Sequence, residues 1–201
     1  MLNQVTQIAQ NQRRRVVSRL SPISRWLLAV TCVMLVVAAS ATTPSTGSTA
    51  PDFTLATPTG DSISLSSQTD ARTTVLVFLR GFPGYQCPFC QRQVHDFVEH
   101  ASDFAAKQVT VLLVYPGPPA ELDERAKEFL AKQSAMPPSI KLVIDPDYKV
   151  TNLYGLRWDA PHETAYPSTF ILDKKRKVLF QKVSHSHGDR TTAQEVLAKT
   201  P

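Results

Sequence analysis

The run Cys87-Pro88-Phe89-Cys90 sits where this chain changes from one kind of order to another. Before it, Val75 to Leu79 is an unbroken apolar run that reads as a buried strand, and Arg80 to Gln86 reads as a turn. After it, Cys90, Val94, Phe97, Val98 and Ala101 recur at the spacing of one helix face. Strand, turn and helix therefore meet at two sulfurs. Cys87 falls at the N-cap, and Pro88 takes the first helical position, where its missing N–H costs nothing. A sulfur at that point faces free backbone N–H groups and the positive end of the helix dipole, both of which favour thiolate over thiol. The spacing predicts Cys87 as the exposed nucleophile and Cys90 as the more buried thiol that resolves it.

A static disulfide or half of a zinc site would be the plainer explanations of the pair. A bridge closing so short a loop removes little unfolded-state entropy. Zinc normally takes four ligands, and no second cysteine pair exists. The remaining cysteine, Cys32, lies within an apolar run and reads as a small apolar residue. No metal or cofactor is called for.

The chain has 201 residues, enough for one domain with a substantial core plus an extension. Arg13, Arg14, Arg15, Arg19 and Arg25 are the charged side chains before Asp52, and Trp26 to Ala39 is uncharged and mostly apolar. Residues 1–41 thus have the layout of a secretion signal, with Ala39-Ser40-Ala41 as the small-residue cleavage site. The apolar run is short for a membrane span, yet the basic segment before it is long for a cleaved signal. An outward-facing membrane anchor through residues 26–41 is the alternative. Either way the protein is expected to be exported, to a periplasmic or other extracytoplasmic location. The formal net charge of +5 belongs wholly to this segment, so the basic pI is no sign of nucleic-acid binding.

Residues 42–50 are rich in Thr and Ser and read as a flexible linker, leaving residues 51–201 as the domain. Strands are predicted at 62–65, 74–79, 109–115, 140–144, 168–172 and 178–183. Helices are predicted at 88–105, 119–132 and 191–199, with a short helical turn near 148–154. The central strands are apolar along their whole length, which predicts helices on both faces of a sheet. The order of elements describes an α/β fold with mixed strand directions. Lys174 to Lys177 reads as the solvated tip of a hairpin.

Several segments together resemble the alkyl hydroperoxide reductase and thiol-specific antioxidant group of peroxiredoxins. Ala50-Pro51-Asp52-Phe53-Thr54-Leu55, with Gly60 and Ile63-Ser64-Leu65, is similar to that group's N-terminal hairpin. Phe78-Leu79-Arg80-Gly81 followed by Cys87-Pro88-Phe89-Cys90 is similar to its nucleophile loop, and Phe170-Ile171-Leu172-Asp173 to its return strand. The resemblance covers about residues 51–199. It implies a thioredoxin-like fold, a mixed central sheet flanked by helices with an N-terminal β-hairpin extension. Two departures stand out. Gly84 occupies the place of the Thr or Ser that helps such proteins bind peroxide, and Tyr166-Pro167-Ser168-Thr169 stands where many carry an arginine. That last segment resembles instead the cis-proline segment of thioredoxin, which predicts a cis Pro167 beside the cysteines and an exposed backbone edge for a substrate strand.

Arg80 leads from the strand into the nucleophile loop and could stabilise a Cys87 thiolate. Arg157 and Arg190 could supply a peroxide-binding cation if their loops fold over Cys87. His185 and His187 could form a metal pair, although a solvated loop is the simpler reading. Tyr85 and Trp158 could form an apolar wall near the thiols, with core packing the default for Trp158. Three functions use these residues. The leading one is an exported thiol–disulfide oxidoreductase, in which Cys87 attacks a protein disulfide and Cys90 resolves the mixed disulfide. The second is a thiol peroxidase with Cys87 peroxidatic and Cys90 resolving, and the third a copper chaperone adding His185 or His187. The first two need an external thiol reductant or partner dithiol.

Overall fold

Seven strands form one sheet in the order β2-β1-β5-β4-β3-β6-β7, seen in a computed structural model that describes residues 41–70, 72–80 and 85–201. The strands are β1 Thr54–Ala56, β2 Ser62–Ser64, β3 Thr73–Phe78, β4 Val109–Gly117, β5 Ile140–Pro146, β6 Ser168–Leu172 and β7 Val178–Val183. The helices are α1 Leu65–Thr69, α2 Pro88–Glu99, α3 Ala101–Ala106, α4 Leu122–Ala131, α5 Lys149–Leu153 and α6 Ala193–Lys199. β3, β4 and β5 run parallel, while β6, β7, β1 and β2 each run antiparallel to the neighbour that carries them. This is the mixed α/β arrangement expected.

Alternation along β3 explains its composition. Val75, Val77 and Leu79 enter one core with Val94, Phe97, Phe104 and Phe129 from α2, α3 and α4. Leu76 and Phe78 enter a second core with Leu65, Val150 and Tyr154 from the opposite side. With both faces covered, the period-2 pattern of a half-exposed strand is absent, and a continuous apolar run is what remains. Phe78, Tyr154 and Phe170 meet at centroid distances between 5.1 and 6.2 Å, which closes the second core.

Three boundaries differ from expectation. The helix read as continuous over 88–105 breaks at His100, whose backbone leaves helical geometry at φ −98°, ψ 18° and whose Nδ1 lies 2.9 Å from the Asp96 carbonyl. The helix read from 119 starts at Leu122, because Glu121 takes a left-handed φ of 61° after the two prolines. The segment read as a flexible linker is laid along the fold. Gly47 N–H donates to Val178 O at 2.8 Å, Val178 N–H to Ser48 O at 2.9 Å and Ala50 N–H to Arg176 O at 2.9 Å. Ser and Thr content is therefore misread as looseness when the backbone itself finds a strand edge. Of the segment 1–41 read as a signal or anchor, residues 1–40 lie outside the described residues. Among the described residues, no helix is long and apolar enough to cross a membrane.

Candidate active site

The dithiol stands at the end of β3. Cys87 is the N-cap of α2 in extended geometry, Pro88 follows in the first turn, and Gln91 N–H donates the first helical bond to Cys87 O at 3.1 Å. Both cysteines are free thiols. Cys90 is fully buried, but Cys87 is only 1 % accessible, so the expectation of an exposed Cys87 is corrected. The N-cap position turns its sulfur inward over the first turn of α2, where the Cys90 side chain lies.

That burial does not silence Cys87. Its pKa is pulled down to about 5, first by the hydrogen bond from the Cys90 thiol, then by the Cys90 N–H, the Arg190 charge and the Phe89 N–H, against the opposing effect of burial. Cys90 moves the other way, because burial and its role as donor to Cys87 both favour the thiol. The two sulfurs are thus polarised into one thiolate and one thiol. Backbone contacts complete the cradle: Arg80 N–H donates to Cys90 Sγ at 3.3 Å.

The three arginines are placed very differently. The Arg80 guanidinium, 7 % accessible, is engaged by the 162–163 loop, with Nε 2.6 Å from Glu163 Oε2 and Nη2 2.7 Å from His162 O. Its predicted role as the thiolate's cation is corrected, since the Glu163 carboxylate holds that charge. Arg157 stacks over the Tyr148 ring at 4.0 Å and donates to the carbonyls of Glu163 and Thr164 at 3.1 and 2.8 Å. It clamps a loop. Arg190 is the cation whose charge acts on both sulfurs. Its Nε donates to His187 O at 3.0 Å and its Nη1 to Gln93 Oε1 at 3.1 Å, while Nη2 is buried and makes no hydrogen bond. Gln93, one turn after Cys90, is held by Nε2 bonds of 3.1 and 3.2 Å to Thr191 O and Oγ1.

Pro167 is where expected but in the other isomer. Phe78 of β3 pairs with Ser168 of β6, which puts Pro167 beside the strand end that leads to the cysteines. The Tyr166–Pro167 bond is trans, since no described peptide bond is cis. The neighbouring backbone is also occupied: Tyr166 N–H donates to Leu156 O, Tyr166 O accepts from Ser168 Oγ, and Pro167 O accepts from Ser184 N–H. The substrate-facing edge predicted there is used by the protein's own ladder. Pro167 is a strand-start proline, placed where its missing donor is harmless.

His187 Nε2 lies 2.9 Å from Glu163 Oε1, and His185 packs edge-on against Tyr166 with centroids 4.6 Å apart. The two imidazoles therefore face different partners, and no group of three His, Cys, Asp or Glu side chains among the described residues could hold a metal. Trp158 stacks on Tyr166 at 4.9 Å and tilts against His187 at 5.2 Å, so it lines this side of the site instead of the main cores. Tyr85 and Phe89 flank Cys87 and are exposed at 48 % and 37 %. Gly84 lies outside the described residues. Gln93 and Glu163 were not anticipated from sequence. A polar residue on the apolar face of α2 was the available signal for Gln93, and nothing marked Glu163.

A polarised dithiol at a helix N-terminus, at the end of a central parallel strand, matches one family model over residues 46–181, that of the AhpC/TSA family. The chain belongs to that family. A provisionally named peroxiredoxin of Mycobacterium tuberculosis is 28 % identical over 138 residues, covering 66 % of this chain and 81 % of that protein. Among solved structures, the peroxidoxin BcpB of Mycobacterium tuberculosis superposes with a TM-score of 0.59 at 22 % identity, over 78 % of this chain and 96 % of that one. A provisionally named thiol:disulfide interchange protein, DsbE, from Chlorobium tepidum reaches 0.58 at 24 % identity, over 79 % and 100 %. These likenesses establish the thioredoxin-type fold. This AhpC/TSA chain is a redox enzyme.

Proposed function

We propose that the chain is a thiol peroxidase, with Cys87 as the peroxide-reactive thiolate and Cys90 as the resolving thiol. The observation that carries this reading is Arg190, whose charge reaches both sulfurs while its buried Nη2 still has hydrogens to donate. A peroxide oxygen bound there would accept that donor. Two further observations move the weight away from protein disulfide exchange. Cys87 is almost inaccessible, which favours a small oxidant, and the backbone beside Pro167 has no free edge for a substrate strand.

In the first step the Cys87 thiolate attacks one peroxide oxygen. An S–O bond forms, the O–O bond breaks, and the sulfur is oxidised to sulfenic acid while the other oxygen leaves as an alcohol or water after taking a proton. Arg190 faces the charge that develops on that oxygen. Cys90 then attacks the sulfenic sulfur: the S–S bond forms, the S–O bond breaks, and hydroxide leaves as water with the Cys90 proton. An external thiol reductant returns two electrons and two protons. The exposed Tyr85 and Phe89 offer it an apolar surface to cover.

Export through residues 1–41 belongs to the same proposal. It is supported by the five arginines from Arg13 to Arg25 ahead of the uncharged run Trp26 to Ala39, with Ala39-Ser40-Ala41 as the small-residue site. A mature chain starting at Thr42 keeps the backbone bonds that Gly47, Ser48 and Ala50 make to Arg176 and Val178. N-terminal sequencing of protein recovered from the exported fraction tests it, and a start at Met1 in a non-exported fraction refutes it.

Stopped-flow mixing of the reduced protein with hydrogen peroxide and with a model disulfide tests the chemistry. Peroxide should oxidise the wild type rapidly, and Arg190→Met should slow that step on the order of 100-fold. Alkylation of the same variant at pH 8 should remain close to wild type. Fast reaction with the disulfide together with an Arg190→Met variant unchanged toward peroxide would return exchange to first place.

A further inference from the structure

We propose that Glu163 is the positioning residue of this redox centre, holding the Cys90 side and the Arg190 side of it in register. The proposal rests on the peroxidase reading and deepens it. Glu163 lies in the loop between α5 and β6, far in sequence from either cysteine, and its side chain is only 11 % accessible. Each carboxylate oxygen holds a different segment. Oε2 accepts from Arg80 Nε at 2.6 Å, and Oε1 accepts from His187 Nε2 at 2.9 Å.

Both contacts lead to the reacting groups in one further bond. Arg80 is the residue whose N–H donates to Cys90 Sγ at 3.3 Å, so anchoring its guanidinium fixes the chain that leaves β3 just where it meets the resolving thiol. His187 is the residue whose carbonyl accepts from Arg190 Nε at 3.0 Å, so anchoring its ring fixes one of the two acceptors that aim the guanidinium. The other acceptor, Gln93 Oε1 at 3.1 Å, comes from α2. Glu163 thus ties the loop bearing the cation to the strand bearing the dithiol.

The carboxylate is itself pre-set. Arg157 donates to the Glu163 carbonyl at 3.1 Å and to the Thr164 carbonyl at 2.8 Å, and rests on the Tyr148 ring. The backbone under Glu163 is therefore clamped independently of its side chain. Glu163 also meets the Arg80 charge, which keeps that guanidinium from turning toward the sulfurs in competition with Arg190. Placement errors of about 1 Å at a reacting centre cost on the order of 100-fold in rate, so a residue two bonds away can be kinetically visible.

The experiment compares wild type, Glu163→Ala, Glu163→Gln and His187→Ala, measuring peroxide oxidation of the reduced protein and, separately, iodoacetamide alkylation at pH 8. Glu163→Ala should slow the peroxide step about 10- to 100-fold and leave alkylation within about twofold, because alkylation needs no oxygen held by Arg190. Glu163→Gln keeps a side-chain oxygen for Arg80 and an amide group for the His187 ring, and should recover to within about threefold of wild type. His187→Ala, at a half-exposed position, cuts the Arg190 arm alone and should lose part of the peroxide rate; it stands in if Glu163→Ala does not fold. Wild-type peroxide rates in both Glu163→Ala and His187→Ala would overturn the proposal. So would equal losses in both assays, which would mark a role in fold alone, or a Glu163→Gln variant as slow as Glu163→Ala. A wild type that reacts with peroxide no faster than Arg190→Met would instead overturn the peroxidase reading itself.

Discussion

Replacing Cys90 by alanine should change Cys87 before any oxidant is added. The largest influence lowering the Cys87 pKa is the hydrogen bond from the Cys90 thiol, with the helix N–H groups and Arg190 behind it. A hydrogen bond to a charged group is worth about 1.5–3 kcal/mol, and 1.36 kcal/mol corresponds to one pKa unit, so losing this donor should move the Cys87 midpoint up by roughly one to two pH units. The value would not return to that of a free thiol, because the N–H groups of Phe89 and Cys90 and the Arg190 charge remain. With a wild-type midpoint of about 5, most of Cys87 is thiolate at pH 6. Iodoacetamide should then label Cys90→Ala about two- to tenfold more slowly than wild type at pH 6, with the difference closing by pH 8.5. Thiolate absorbance near 240 nm should follow the same two curves. Cys90→Ser keeps a hydroxyl donor and should stay near the wild-type curve. Coincident wild-type and Cys90→Ala titrations would refute the reasoning and assign the low pKa to the helix terminus and Arg190.

Other outcomes follow from particular contacts. Asp145, fully buried, accepts from Val150 N–H at 2.9 Å, Thr151 N–H at 2.8 Å and Thr151 Oγ1 at 2.7 Å; Asp145→Ala should cost about 2–4 kcal/mol in urea denaturation, and a loss under about 1 kcal/mol would contradict this cap. Deleting residues 42–50 should lower the thermal midpoint, because it removes the backbone bonds to Arg176 and Val178; an unchanged midpoint would restore the reading of a loose linker. Gly155→Ala should destabilise by about 1–2 kcal/mol, since φ is +62° and the new Cβ would meet Thr43 N at 3.1 Å; faster proteolysis near Thr43 would report the same contact.

The strand, the turn and the helix around the cysteines were legible because local rules set them. An apolar run of strand length, a proline at the first helical position and a 3.6-residue apolar period each act over a few residues, and all agreed at Cys87. The capping hydroxyl of Thr192 on α6, bonded to Glu195 N–H at 3.1 Å, was readable for the same reason. By contrast, the accessibility of Cys87, the isomer at Pro167 and the partner of each arginine depend on what distant segments bring alongside. Arg80 and Arg190 have the same side chain, yet Glu163 neutralises the first, and the second ends beside the sulfurs with a donor unused. The sequence by itself determined a dithiol at the head of a helix on an α/β sheet, because backbone geometry and apolar periodicity are local. Only the tertiary structure decided which cation stands by it and which carboxylate holds both that cation's loop and Arg80, because hydrogen-bond partners 97, 24 and 83 residues apart leave no local trace.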